Sequence, residues 1–213
     1  MRLRGELALP TNGLGLVLFA HGSGSSRHSP RNRYVARELF CCGIGTLLFE
    51  LLTAEEDRDY VTRFDIRLLS ARLAAATEWV VNERLAGSLP LGYFGASTGA
   101  AAALVAASGL RSRISAVVSR GGRPDLARAD VLSRETAPTM LIVGGNDSEV
   151  IALNRDVPDC LRCPKALRSV PGATHLFEEP GALQDVAAIA SEWFRCWFAV
   201  GPGQNAGSEL REN

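Results

Sequence analysis

Net charge is the first thing this 213-residue chain lacks: 23 lysines and arginines stand against 23 aspartates and glutamates. Without a basic excess there is no electrostatic footprint for nucleic acid or for an acidic membrane surface. No stretch approaches the roughly 18 consecutive apolar residues of a membrane span. The opening MRLRGELALP alternates like a strand where a signal peptide would carry an apolar core, so the expectation is a cytoplasmic protein. Lysine is nearly missing, Lys165 being the only one. Cysteines number five, an odd count. Cys160 and Cys163 in "CLRC" have no second pair or histidine cluster nearby to complete a four-ligand zinc site, and no metal is expected. There is also no internal repeat and no linker that would split the chain.

What remains is ordinary globular composition, with 46% apolar and 22% charged residues, in a length that suits one domain with a substantial core. Residues 1–200 read as that single domain. The tail over 201–213, GPGQNAGSELREN, is glycine-rich and polar and is expected to be disordered.

Short apolar runs alternate with helical patterns along the chain. The candidate strands are 2–9, 14–20, 44–50, 90–95, 113–119, 138–144 and 165–170, and their continuous apolar character suits strands buried on both faces. Helical segments follow Ser29-Pro30, run from 65 to 85 with Ile66, Leu69, Leu73, Ala76 and Val80 on one stripe, and begin again after Pro180. Strand–helix alternation of this kind predicts an α/β domain with a mostly parallel sheet of about seven strands flanked by helices.

The motif that carries chemistry is GYFGASTGAAAA, residues 92–103. Ser97 sits between a predicted strand and a small-residue helix, the setting of a nucleophile elbow. A sharp strand-to-helix turn brings the two elements so close that side chains at positions 95 and 99 would collide, which accounts for Gly95 and Gly99. Alanines 100–103 let the helix lie tight on the sheet with its positive end toward Ser97. Two further groups stand at strand ends downstream: Asp147 in VGGNDSEV and His175 in VPGATHLFEEP. The order Ser, Asp, His, each at a carboxyl end of a strand, is that of a hydrolase triad. Asp147 as a helix N-cap and His175 as a hydrogen-bonded loop residue are the alternative readings. After the second strand, the loop FAHGSGSSRHSPRNR can turn N–H groups toward a substrate oxygen, with the backbone N–H of Ser23 and that of Thr98 as the oxyanion donors. His21 reads as a structural loop residue and His28 as exposed.

These stretches, HGSGSSRHSPRNR, GASTGAAAAL, GGNDSEVIALN and VPGATHLFEEPGAL, together resemble the dienelactone-hydrolase-like branch of the α/β-hydrolases, the type often fused to phosphoribosyltransferase domains. The resemblance covers roughly residues 2–198 and implies a mixed sheet whose first strand is antiparallel to the rest, with the usual eighth, N-terminal strand missing. It also implies Ser97 as nucleophile, Asp147 as acid and His175 as base, and no cofactor. One departure stands out: dienelactone hydrolases proper use a cysteine nucleophile, and this chain has Ser97 at that position.

The expected activity is cleavage of small or short-chain carboxylic esters through an acyl-enzyme on Ser97. Lactone, dienelactone or thioester hydrolysis and acyl transfer would use the same triad, and a non-catalytic ligand-binding module is the alternative from another class. The insert over 120–137 is too short for a cap domain, so the site is expected to be open. Arg120 and Arg123 on that insert can hold a substrate carboxylate or stand as solvated loop charges. Glu50, ending the third strand, is a candidate for supporting the site. The expected partner is a small-molecule ester, and the oligomeric state is not legible.

Overall fold

Seven strands form one sheet in the computed structural model, which describes residues 2–200; the tail expected over 201–213 lies outside the described residues. In chain order the elements are β1 (Gly5–Ala8), β2 (Gly15–Ala20), α1 (Pro30–Cys41), β3 (Ile44–Phe49), α2 (Ile66–Asn82), β4 (Leu91–Ala96), α3 (Thr98–Leu110), β5 (Ile114–Arg120), α4 (Ala129–Leu132), β6 (Thr139–Gly144), α5 (Ser148–Arg155), α6 (Val157–Cys160), β7 (Lys165–Val170) and α7 (Ala182–Val200). The order across the sheet is β1-β3-β2-β4-β5-β6-β7, and only β1 runs antiparallel to its neighbour. This is the α/β-hydrolase arrangement.

The chain leaves β2 for β3 on one side and returns to β4 on the other. Loops at the carboxyl ends of β2 and β4 therefore diverge and leave a crevice, the place where open α/β sheets put their sites.

Helices cover both faces. Leu73 and Val80 of α2 and Leu104 of α3 pack with Leu18, Tyr93 and Val117 on one side. Val35 and Leu39 of α1 and Phe194 and Trp197 of α7 pack with Phe19, Phe94 and Val118 on the other. The five inner strands are buried along their whole length, as continuous apolar runs require. The two outer strands correct the expectation of burial on both faces: β1 is exposed throughout and β7 mostly so. Each has a neighbour on one side only, so its side chains are not sandwiched between helices.

Local signals set the helix starts. Ser29 Oγ accepts the Asn32 N–H at the head of α1, with Pro30 first in the helix, and Asp65 Oδ1 accepts the Leu68 N–H of α2 at 2.9 Å. The insert between β5 and β6 holds a single 3-10 turn at 124–126 and the four-residue α4, and among the described residues no cap domain stands over the strand ends. Nor is any helix of the described residues long and apolar enough to cross a membrane.

Candidate active site

Ser97 has φ 51° and ψ −119°, a conformation that residues with a Cβ rarely adopt. The turn holds because its surroundings determine it from both sides. Ser97 N–H donates to the Arg120 carbonyl on β5, and the Ser97 carbonyl accepts from Ala100 and Arg123. A Cβ at Gly95 would overlap the backbone of Ala100, and one at Gly99 would overlap the carbonyl oxygens of Ala20 and His21. Glycine at 95 and 99 is thus a condition of α3 reaching the sheet. Residues 100–103 are fully buried alanines against β4 and β5.

Asp147 follows β6 and His175 follows β7. His175 Nδ1 donates to Asp147 Oδ2 at 2.8 Å, and the other carboxylate oxygen, Oδ1, accepts the Val150 N–H at 3.3 Å. The cap and the histidine partner, alternatives in the sequence, are one residue acting through its two oxygens. Asp147 is only 12% exposed at its side chain and His175 40%, so the imidazole is anchored at one edge and accessible at the other. Ser97 and His175 line one cavity of about 250 Å³, whose other walls include Gly22, Ser23, Arg31, Asn32 and Arg120.

The loop after β2 is braced from below. His21, 6% exposed, donates from Nδ1 to the Gly22 carbonyl and accepts the Leu51 N–H at Nε2. Burial is the main cause that lowers its pKa, which keeps the ring neutral in this bridging tautomer. Glu50 accepts the Arg27 backbone N–H at 3.3 Å and pairs with Arg27 Nε at 3.3 Å. Together they tie the loop that carries Ser23 to the end of β3. Ser23 and Thr98 line one small pocket beside the cavity, and the N-terminal turn of α3 opens onto it.

The two candidate arginines part company. Arg123 spends its fork on Asp125, through Nε at 2.9 Å and Nη2 at 2.7 Å, and is not among the residues lining the cavity. Arg120 is not a rim residue either: it is 8% exposed, with its guanidinium over the Phe177 ring at 5.8 Å from the centroid. It does line the cavity beside Ser97. His28 is exposed, as expected. Sequence reading missed Arg31 and Asn32, although the Ser-Pro helix start directly after the glycine-rich loop places the first turn of α1 at the same strand end. No cluster of three or more His, Cys, Asp or Glu suited to a metal ion occurs among the described residues.

No family model matches the chain. A protein of Mycobacterium tuberculosis that carries a phosphoribosyl transferase name, found in two strains, is 56% identical over 190 residues, which is 89% of this chain but 43% of that protein. The chain thus spans less than half the length of the curated relatives it matches. A crystal structure of a dienelactone hydrolase from Anabaena variabilis is 54% identical, with a TM-score of 0.89 over 92% of this chain and 93% of that one. Est1E from Butyrivibrio proteoclasticus shares the fold at 16% identity, with a TM-score of 0.78 over 92% of this chain and 95% of its own.

Proposed function

The chain belongs to the dienelactone hydrolase family of α/β-hydrolases, and we propose that it cleaves small, short-chain carboxylic esters through an acyl-enzyme on Ser97. The observation that supports this most is the His175 Nδ1 to Asp147 Oδ2 hydrogen bond at 2.8 Å, made in the loops that also bring His175 to the cavity of Ser97.

In this reading Ser97 Oγ attacks the ester carbonyl while His175 Nε2 takes its proton. Asp147 holds the Nδ1–H tautomer and stabilises the imidazolium. The carbonyl oxygen becomes an oxyanion, met by the backbone N–H groups of Ser23 and Thr98 and by the positive end of α3. Collapse expels the alcohol, which takes the proton from His175. A water, deprotonated by the same imidazole, then releases the acid and restores Ser97. The absence of a cap among the described residues favours compact substrates that reach the strand ends directly.

A second reading, lactone hydrolysis, is favoured by the name of the Anabaena variabilis relative. It needs the same groups, with the leaving alcohol staying attached to the acid.

The test is hydrolysis of p-nitrophenyl acetate, butyrate and octanoate, with five- and six-membered lactones alongside, by the wild type and Ser97→Ala. A rate that falls with acyl length and collapses on the order of 10⁶-fold in the variant is the expected result. Equal weak rates in both proteins, on esters and lactones alike, would overturn the assignment and leave a ligand-binding module.

A further inference from the structure

β1 pairs with β3 alone, and among the described residues no strand pairs with its other edge. The Arg4 carbonyl accepts the Glu50 N–H at 3.0 Å, and the ladder continues from Gly5 opposite Phe49 to Ala8 opposite Thr46. Hydrogen-bonding direction alternates along an antiparallel strand, so Arg4, Glu6 and Ala8 turn their backbone groups toward β3. Gly5 and Leu7 turn theirs outward. An open edge of this kind is a template for another strand unless charge or proline blunts it. The opposite border of the sheet, β7, carries Lys165 and Arg168 and no acidic residue, so two copies of it repel. On β1 the charges are Arg4 and Glu6, of opposite sign.

Beside this edge lies an open groove of about 590 Å³, between β1 and β3 on one side and α2 on the other. Leu3, Leu7, Phe49 and Trp79 line it, with Leu7 37% and Trp79 49% exposed. Arg2 and Arg72 border it, the latter paired with Glu56 at 2.7 Å. Leu3, Gly5 and Leu7 share the groove face, so alternation puts Arg4 and Glu6 on the other face. There Glu6 meets Arg27 at 2.8 Å while its side chain stays 43% exposed. The unpaired edge and the apolar groove form one continuous surface.

We propose that this surface binds a second copy of the chain, β1 pairing antiparallel with the same strand across a twofold axis at Gly5. In that register Gly5 exchanges N–H···O bonds with Gly5 of the second copy, and Leu3 lies opposite Leu7. Arg4 faces Glu6 of the second copy in the closely spaced, non-hydrogen-bonded pairs, twice by symmetry. An axis at Arg4 or at Glu6 sets that residue against its own copy, and like charges so close oppose pairing. An axis at Leu3 or Leu7 sets Arg4 against Arg2 or Pro10, which gives no opposite-charge pair. Charge therefore selects the Gly5 register. The axis stands perpendicular to the sheet, so both grooves fall on one face, where Leu3 and Leu7 of the two copies meet. Because Glu6 already has Arg27, its pair with Arg4 fixes register, and the apolar surface drives association. The contact is isologous and joins two seven-stranded sheets into one.

The test reads molecular mass against concentration by sedimentation velocity. The wild type is expected to pass from monomer to dimer by about 100 μM chain. Leu7→Lys, at an exposed position, is expected to raise the dissociation constant about tenfold or more with its thermal melt unchanged. Arg4→Glu is expected to weaken the dimer, and Arg4→Glu combined with Glu6→Arg to restore it. Melts of these variants separate loss of the Arg27 pair from loss of the dimer. Register is read independently by mixing Arg4→Cys protein with Glu6→Cys protein under mild oxidation. A disulfide between positions 4 and 6 of different chains, found by peptide mapping and absent from either protein alone, is expected, since paired strands there lie within disulfide reach. A mixture that dimerises without that cross-link would overturn the strand pairing. A wild type still monomeric at that concentration would give the groove to a different occupant and overturn the proposal. So would a dimer indifferent to both Leu7→Lys and Arg4→Glu. None of these outcomes bears on the chemistry proposed at Ser97.

Discussion

Asp147 touches His175 and the head of α5 at once: Oδ2 accepts from His175 Nδ1 at 2.8 Å and Oδ1 accepts from the Val150 N–H at 3.3 Å. The two duties separate under substitution. Asparagine is as good an N-cap as aspartate but cannot stabilise an imidazolium. Asp147→Asn is therefore expected to keep the melting temperature while kcat falls about 10⁴-fold. Asp147→Ala is expected to lose the same activity and, in addition, about 1 kcal/mol of stability. Thermal melts and ester kinetics on the two variants check this, and equal melts would mean that the cap contributes nothing.

The strained turn at Ser97 gives the opposite sign. With φ 51° and ψ −119° the residue sits where glycine is at ease and serine is not. Ser97→Gly is expected to abolish turnover and to be about 1 kcal/mol more stable than Ser97→Ala. Urea unfolding of both proteins measures the difference.

Gly99 tests the contact between helix and sheet. A methyl there would meet the Ala20 and His21 carbonyl oxygens, which belong to backbone that cannot swing aside. Gly99→Ala is expected to cost about 3 kcal/mol and, where it folds, to displace the Thr98 N–H and depress kcat. A variant with wild-type stability would contradict the close approach described above.

Away from the site, Glu135 makes stability depend on pH. It is 1% exposed, with Oε1 accepting the Ala137 N–H at 2.7 Å and Oε2 unpartnered. Burial pushes its pKa up from 4.5 to about 7. The folded state thus holds a proton that the unfolded chain releases, so the contribution is complete below pH 4.5 and is lost as pH rises through about 7. The loss is on the order of 3 kcal/mol. Unfolding measured from pH 4.5 to 8 is expected to show this decline in the wild type and to lack it in Glu135→Gln.

Much of this molecule was legible because its signals are local. The inner strands announce themselves as unbroken apolar runs, and Gly95, Ser97 and Gly99 announce a turn that only small neighbours permit. Asp147 and His175 were found by their place after strands. What was not legible depends on direction. Arg120 and Arg123 lie three residues apart and look equivalent in sequence. Yet one is the last residue of β5 and is buried over Phe177, while the other, beyond Gly121 and Gly122, meets Asp125. The bracing of the β2 loop by Glu50 and Arg27 spans 23 residues of sequence, and no periodicity encodes a contact of that range.

The proposed base follows β7, one of the two edge strands of the sheet. β7 borders the sheet with most of its side chains in solvent, whereas β4, which delivers Ser97, lies buried at the centre. The two halves of the proposed catalytic apparatus are therefore anchored in parts of the protein with unequal resistance to local opening. On warming, fraying of that border is expected to withdraw His175 while the serine turn is still intact. Heat inactivation of the proposed activity is then expected to run ahead of the cooperative melt and to reverse on cooling. The temperature at which activity fades would then report the grip of one peripheral strand, before the core gives way.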